Sequence, residues 1–247
     1  MSIEQRYQVV LERIEAAAVR ASRPASEITL VSVTKTWPAE TVLAAHQAGM
    51  RDFGENRAEE LVEKRPLVEE ALGPEAAISW HAIGALQSRK TTMIADTADV
   101  FHALDRSKIA QRLSKRLVEN GRAETKPLPV FLEVNLSGEL SKSGVDCSDW
   151  EALAEQRQRL RQLAEMVQQL PGLVPLGLMT MAPWQVEEEV ICGVFRRTRQ
   201  LAHWLQDVAP DGHWTALSMG MTDDFEIAIE EGATHVRVGR ALFGPRN

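Results

Sequence analysis

The chain has 247 residues, 44% of them hydrophobic and 26% charged, with a formal net charge of −7. That length suits one (β/α)8 barrel, typically about 250 residues, and buries a large core without disulfides or metals. The acidic balance excludes the basic surface that non-specific nucleic-acid binding requires. Cys147 and Cys192 lack CxxC spacing, and His46, His203, His213 and His235 show no ligand spacing, so no metal is expected. The first residues, Met1 to Arg6, lack the apolar core of a signal peptide. No apolar stretch approaches the roughly 20 residues of a membrane span. The expected setting is reduced and cytoplasmic.

Residues 2–21 place Ile3, Tyr7, Val10, Leu11, Ile14, Ala17, Ala18 and Ala21 at helical spacing, which predicts an amphipathic leading helix against the outside or bottom of the remaining elements. A strand-then-helix rhythm begins at Ile28. Predicted strands cover 28–34, 51–54, 77–83, 100–104, 129–135, 173–181, 214–218 and 234–238. Predicted helices lie between them, at about 39–48, 57–72, 87–95, 106–119, 150–170, 187–208 and 223–231, with a final turn from Ala241. Eight strands alternating with helices imply a parallel sheet, and this length favours closing it into a single barrel domain over 1–247. A doubly wound open sheet is the alternative. The absence of a Gly-rich dinucleotide fingerprint after the first strand weighs against it.

In a barrel, chemistry sits on the loops leaving the carboxyl ends of strands. Lys35 ends the first strand there, and on position alone it reads as a lysine reaching solvent. Strand seven ends Ser218-Met219-Gly220-Met221-Thr222-Asp223-Asp224, and strand eight ends Arg237-Val238-Gly239-Arg240. Barrels often bind phosphate on these two loops, because glycines admit close backbone approach and free N–H groups at a helix start face the anion. Ser218 adds a hydroxyl and Arg237 a forked cation. A lysine across the mouth from such a cradle suggests a phosphorylated carbonyl compound, since a neutral amine attacks an aldehyde to form a Schiff base. Pyridoxal 5′-phosphate and a sugar phosphate both fit that description.

Several segments carry a family resemblance: Val33-Thr34-Lys35-Thr36, Phe53-Gly54-Glu55-Asn56, the run from Trp80 to Ser88, Ser141-Lys142-Ser143-Gly144, Gly177-Leu178-Met179, the run from Leu217 to Asp224, and Val236-Arg237-Val238-Gly239. In order and over nearly the whole chain, they resemble the pyridoxal phosphate homeostasis proteins (YggS/PROSC family). The resemblance implies a TIM barrel of the alanine-racemase N-terminal (fold type III) type with an extra N-terminal helix. It also implies a monomer that holds pyridoxal 5′-phosphate as a Schiff base on Lys35. Ser218, Gly220, Arg237 and Gly239 would hold the phosphate, and Asn56 would lie near the cofactor. The family has no established catalytic activity and is implicated in vitamin B6 homeostasis. Ala82, Arg89 and Arg240 depart from the pattern by standing where phenylalanine, asparagine and threonine are usual.

Racemases of this type add a β-domain and use a tyrosine as a second base. This chain's end at the barrel leaves no room for such a domain, and its one tyrosine, Tyr7, falls on the leading helix. His81 is read as a hydrogen-bonded structural residue. The expectation is therefore a non-catalytic carrier that hands the cofactor to acceptor enzymes. A weak fold-type III racemase or Schiff-base lyase is the alternative. Residues 137–149, rich in Ser and Gly, read as a mobile loop gating the cofactor face, the six tryptophans as core or groove packing, and Glu187–Glu189 as a solvated helix start.

Overall fold

The computed structural model describes residues 1–73, 75–139 and 141–245. Its strands are β1 (Thr29–Val33), β2 (Asp52–Glu55), β3 (Ser79–Ala82), β4 (Val100–Leu104), β5 (Leu128–Asn135), β6 (Val145–Asp146), β7 (Leu173–Met179), β8 (Ala216–Ser218) and β9 (His235–Val238). Eight of them pair side by side in the order β4-β3-β2-β1-β9-β8-β7-β5, and a β4–β5 pairing closes the ring. Every pairing is parallel. The closed barrel excludes the open-sheet alternative.

The helices are α1 (Ile3–Arg20), α2 (Ala39–Gln47), α3 (Ala58–Leu72), α4 (Thr91–Thr97), α5 (Ser107–Glu119), α6 (Arg122–Thr125), α7 (Ala154–Gln169), α8 (Glu188–Val208), α9 (Phe225–Glu230) and α10 (Arg240–Phe243). The Ser2 side chain and Gln5 form a capping box that starts α1. Val10, Ile14, Ala17 and Ala18 form its buried stripe. Arg13 fixes the helix to α9 by two bonds of 2.8 Å to the Glu226 carboxylate, with its guanidinium 4.5 Å over the Phe225 ring. The leading helix therefore packs on the outside of the ring.

Two elements carry no sequence signal. The single turn α6 is too short for periodicity, and Arg122 holds it by donating to the carbonyls of Ala95 and Ala98. β6 lies inside the segment expected to be a mobile loop. It extends the end of β5, with Val134 opposite Val145 and Asn135 opposite Asp146. The Asn135 Oδ1 accepts from the Ser137 and Gly138 amides, and its Nδ2 donates to the Glu139 carbonyl, so the described part of this segment is pinned at both ends.

The space between sheet and helices is apolar, filled by side chains such as Phe53, Trp80, Leu61, Leu113 and Phe195. The tryptophans do not all follow the expected packing. Trp80 and Trp214 are fully buried, whereas Trp184 is 73% exposed on the loop after β7. Inside the ring the filling is different. His81 on β3, His102 on β4, Phe131 on β5 and His235 on β9 bring their rings within 4.6–6.4 Å of one another. Strands on opposite walls can share one ring cluster only through the lumen, so this barrel has a polar centre. No helix among the described residues is long and apolar enough to cross a membrane.

Candidate functional site at the barrel mouth

Lys35 is the second residue after β1, half-buried, and begins a tight turn. Thr36 follows it with φ +69°, a left-handed conformation that costs a non-glycine residue about 1 kcal/mol. A charged cluster outside the barrel wall holds the turn. The Thr36 N–H donates to Glu60 at 2.6 Å, and the Thr34 hydroxyl donates to Glu55 at 2.7 Å. Lys64 on α3 donates at once to the Thr34 carbonyl, Glu55 and Glu60, at 2.9, 2.8 and 3.0 Å. Burial pushes the Glu55 carboxyl up, while bonds from Lys64 and Thr34 oppose the shift. Burial also pushes Glu60 up, but the Thr36 amide and Lys64 outweigh it and leave the carboxyl below its ordinary value.

Asn56 follows β2 on this side and is exposed. With Gly84, Gln87 and Lys90 it lines a cavity of about 220 Å³ beside the mouth. A Cβ at Gly84 would lie 2.2 Å from the Asn56 carbonyl oxygen, so the loops after β2 and β3 touch backbone to backbone.

On the other flank of β1, the loops after β9 and β8 come next in the ring. Gly220 has φ +92°, and a Cβ there would strike Ala228 at 2.6 Å. Its carbonyl accepts from the Arg237 amide at 3.0 Å. Gly239 precedes α10, and its Cβ position lies 3.2 Å from the Val33 carbonyl, two residues before Lys35. The two loops are tied by an Arg240–Asp223 ion pair and by a 3.5 Å contact from the Ala241 amide to the Thr222 hydroxyl. Arg240 thus ties the two loops by an ion pair.

Ser218 and Arg237 lie below these loops, inside the lumen. Arg237 donates to the Ser218 hydroxyl at 2.7 Å and to the Thr180 carbonyl at 3.0 Å. Burial pulls the guanidinium down to about 10, with Asp224 and Glu133 opposing. His102 Nδ1 stands 2.8 Å from the same Ser218 oxygen. Sequence reasoning missed Glu133, an inward residue of β5 in register with Met179, which is in register with Ser218. Its Oε2 is buried without a hydrogen-bond partner among the described residues. Burial and the nearby Asp105 push its carboxyl up to about 7, against Arg237 and Arg106. The signal was available, because Glu133 alternates with Phe131 in an otherwise apolar strand.

The structure thus joins Ser218, Gly220, Arg237 and Gly239 into one wall, brings the turn carrying Lys35 against that wall, and places Asn56 on the other flank of Lys35, after the neighbouring strand β2. His81 is hydrogen-bonded on both ring nitrogens, as its strand position suggested. No group of three metal-ligating side chains occurs among the described residues.

Comparison with known proteins bears on this mouth. Residues 9–247 match the family model for the N-terminal domain of alanine racemase. A pyridoxal phosphate homeostasis protein of Pseudomonas aeruginosa is 43% identical, covering 100% of this chain and 96% of that one. One from Vibrio cholerae is 39% identical, with 100% and 97% covered. Among solved structures, PipY of Synechococcus elongatus with pyridoxal phosphate bound is similar with a TM-score of 0.75 at 34% identity, covering 95% of this chain and 100% of that one.

Proposed function

The chain belongs to the pyridoxal phosphate homeostasis protein family, of the alanine racemase N-terminal barrel type, and we propose that it holds pyridoxal 5′-phosphate at this mouth. The observation that carries the reading is the seam at Gly239, where a Cβ would lie 3.2 Å from the Val33 carbonyl oxygen. There an amine-bearing turn and a glycine-built anion cradle share one edge. The donor set fits a phosphorylated aldehyde. Lys35 would hold such a group through its amine, the nucleophile that an aldehyde takes up with loss of one water. The Gly220 and Gly239 loops supply close backbone for the phosphate. Ser218 and Arg237, already bonded to each other in the lumen, form the polar floor beneath that phosphate and fix its charge complement. Asn56, after the neighbouring strand β2, flanks Lys35 on the side away from the cradle. The cofactor's contribution is a conjugated ring that withdraws electrons from whatever amine it carries.

We assign the chain the role of a non-catalytic cytoplasmic carrier, one domain over 1–247, acting as a monomer that delivers the cofactor to acceptor enzymes. The test is the visible absorption spectrum of pure protein given pyridoxal phosphate, before and after Lys35→Ala. The wild-type chain gains a band that the variant lacks, and a band that survives the substitution assigns the linkage to another lysine. The second reading is a weak amino-acid racemase or lyase. It is favoured by Glu133, a buried carboxyl with an unbonded oxygen near its midpoint at neutral pH. Exchange of amino-acid α-protons in heavy water separates the two readings, because rapid exchange that Glu133→Gln abolishes belongs to an enzyme.

A further inference from the structure

A continuous line of hydrogen bonds crosses the barrel lumen from its amino-terminal end to the floor of the mouth. Asp52 opens β2, and its side chain keeps 31% of its surface exposed. Its Oδ1 lies 3.0 Å from His81 Nε2, His81 Nδ1 lies 2.8 Å from His102 Nε2, and His102 Nδ1 lies 2.8 Å from Ser218 Oγ. Arg237 completes the line at 2.7 Å. His81, His102 and Ser218 are buried, so water does not substitute for these partners.

The proton positions follow from what each group can do. Arg237 only donates, so Ser218 Oγ accepts from it. Burial, with His81, His235 and Arg237 adding to it, holds the His102 ring neutral. A neutral ring has one N–H. If Ser218 gives its proton to His102 Nδ1, then His102 donates from Nε2 to His81 Nδ1, and His81 donates from Nε2 to Asp52. Every polar atom in the line is then satisfied with neutral imidazoles. The reverse order sets a bare His81 Nε2 lone pair against the Asp52 carboxylate, with only the Ser79 hydroxyl at 3.1 Å to donate to it, or requires a buried imidazolium. The first order runs from a cation to an anion, so each bond polarises the next in the same sense. His235, 6.0–6.4 Å from both rings, is pulled down to about 4, chiefly by burial, and adds no charge at neutral pH. Glu133 and Asp224 face Arg237 from β5 and from the loop before α9.

We propose that Asp52, His81 and His102 are positioning residues: they form a proton-ordered wire through the lumen that fixes Ser218 and Arg237 beneath the mouth and couples them to charge at the opposite end of the barrel. The wire itself is a property of the chain alone, and its effect on the cofactor rests on the function proposed above.

Two measurements test it. In the cofactor-free protein, long-range ¹⁵N–¹H NMR of the histidine rings reads the tautomers. His81 and His102 both carry the proton on Nε2, and Asp52→Leu moves the His102 ring shifts although His81 stands between them. A proton on His102 Nδ1, or His102 shifts that ignore Asp52→Leu in a variant with unchanged melting behaviour, overturns the wire. In the loaded protein, Asp52→Asn moves the pH midpoint of the visible band by about half a pH unit, the size of one distant charge acting through a polarised chain. In a His102→Asn background the side chain still reaches Ser218 but is too short for His81, and the Asp52→Asn shift vanishes. A shift that persists there means that charge acts through space, and the wire is wrong. A protein that takes up no pyridoxal phosphate refutes the cofactor reading, and the tautomers then decide the wire by themselves.

Discussion

On the β1–β2 side of the mouth the charges sit outside the barrel wall, where Lys64 meets Glu55 and Glu60 and ties down the turn after Lys35. On the β8–β9 side they sit inside it, where Arg237 shares the lumen with Glu133 and the three histidines. The outer cluster is compensated, with three donors of one ammonium on three acceptors. Each side leaves one buried carboxylate oxygen without a partner among the described residues, Glu55 Oε2 outside and Glu133 Oε2 inside, but the other Glu55 oxygen takes both the Lys64 ammonium and the Thr34 hydroxyl, whereas the Glu133 carboxyl is pushed up to about 7. A carboxylate bonded to its own ammonium fixes the backbone around it. A carboxyl held near 7 beside a buried guanidinium changes its charge within the neutral range.

Lys64→Met breaks the outer cluster and should have the largest effect on stability. It leaves Glu55 buried without its cation, and breaking a buried pair of this kind costs about 3 kcal/mol. Denaturant titration should show that loss. Uptake of pyridoxal phosphate should also slow, because the Thr36 turn loses the carbonyl anchor at Thr34. A stable variant with unchanged uptake would show that the cluster does not position Lys35.

Glu133→Gln probes the inner cluster through pH. The Glu133 carboxyl is held at about 7 against an ordinary 4.5. The folded state therefore binds its proton more tightly than the unfolded chain does. That stability is fully present below about 4.5 and is lost as pH rises through 7. Glutamine stays neutral throughout, so the variant should match wild type at pH 5 and exceed it at pH 8. The full difference is worth about 3 kcal/mol, and losing an anion near Arg237 brings the expected gain to about 2 kcal/mol. His235 runs the other way: held at about 4 below an ordinary 6.5, it contributes stability that is present above 6.5 and lost as pH falls through 4. Melting curves across pH 4–9 should therefore decline at both ends, and the substitution should lift only the alkaline limb.

The eight barrel strands were legible because parallel strands buried on both faces read as apolar β-branched runs, and the helices between them show a 3.6-residue period. The glycine loops after β8 and β9 were legible from their place in that rhythm. What the sequence hid is inward direction. Ser218 and Arg237 read as loop-end donors, whereas the pleat of β8 and β9 turns both into the lumen, 2.7 Å apart. Glu133 escaped notice as one acid in an apolar strand, His235 as a histidine without ligand spacing and His102 as one residue of a predicted strand, because only closure of the ring brings four strands around one axis. β6 is two residues long and exists through its pairing with Asn135 rather than through any propensity of its own.

The smallest predicted effect returns to the outer side. Thr36 holds φ +69° while its N–H is bound to Glu60. Glycine accepts that conformation freely but gives the unfolded chain more freedom, and the two terms nearly cancel. Thr36→Gly should therefore change stability by no more than about 0.5 kcal/mol, in the stabilising direction, in a denaturant titration. Cofactor uptake should respond more than stability does, because a glycine beside Lys35 widens the range of its amine. A loss above about 1 kcal/mol would instead mean that the exposed Thr36 side chain makes stabilising contacts of its own. Strain tolerated at one residue of an otherwise well-bonded turn is the mark of a backbone held for its neighbour's side chain.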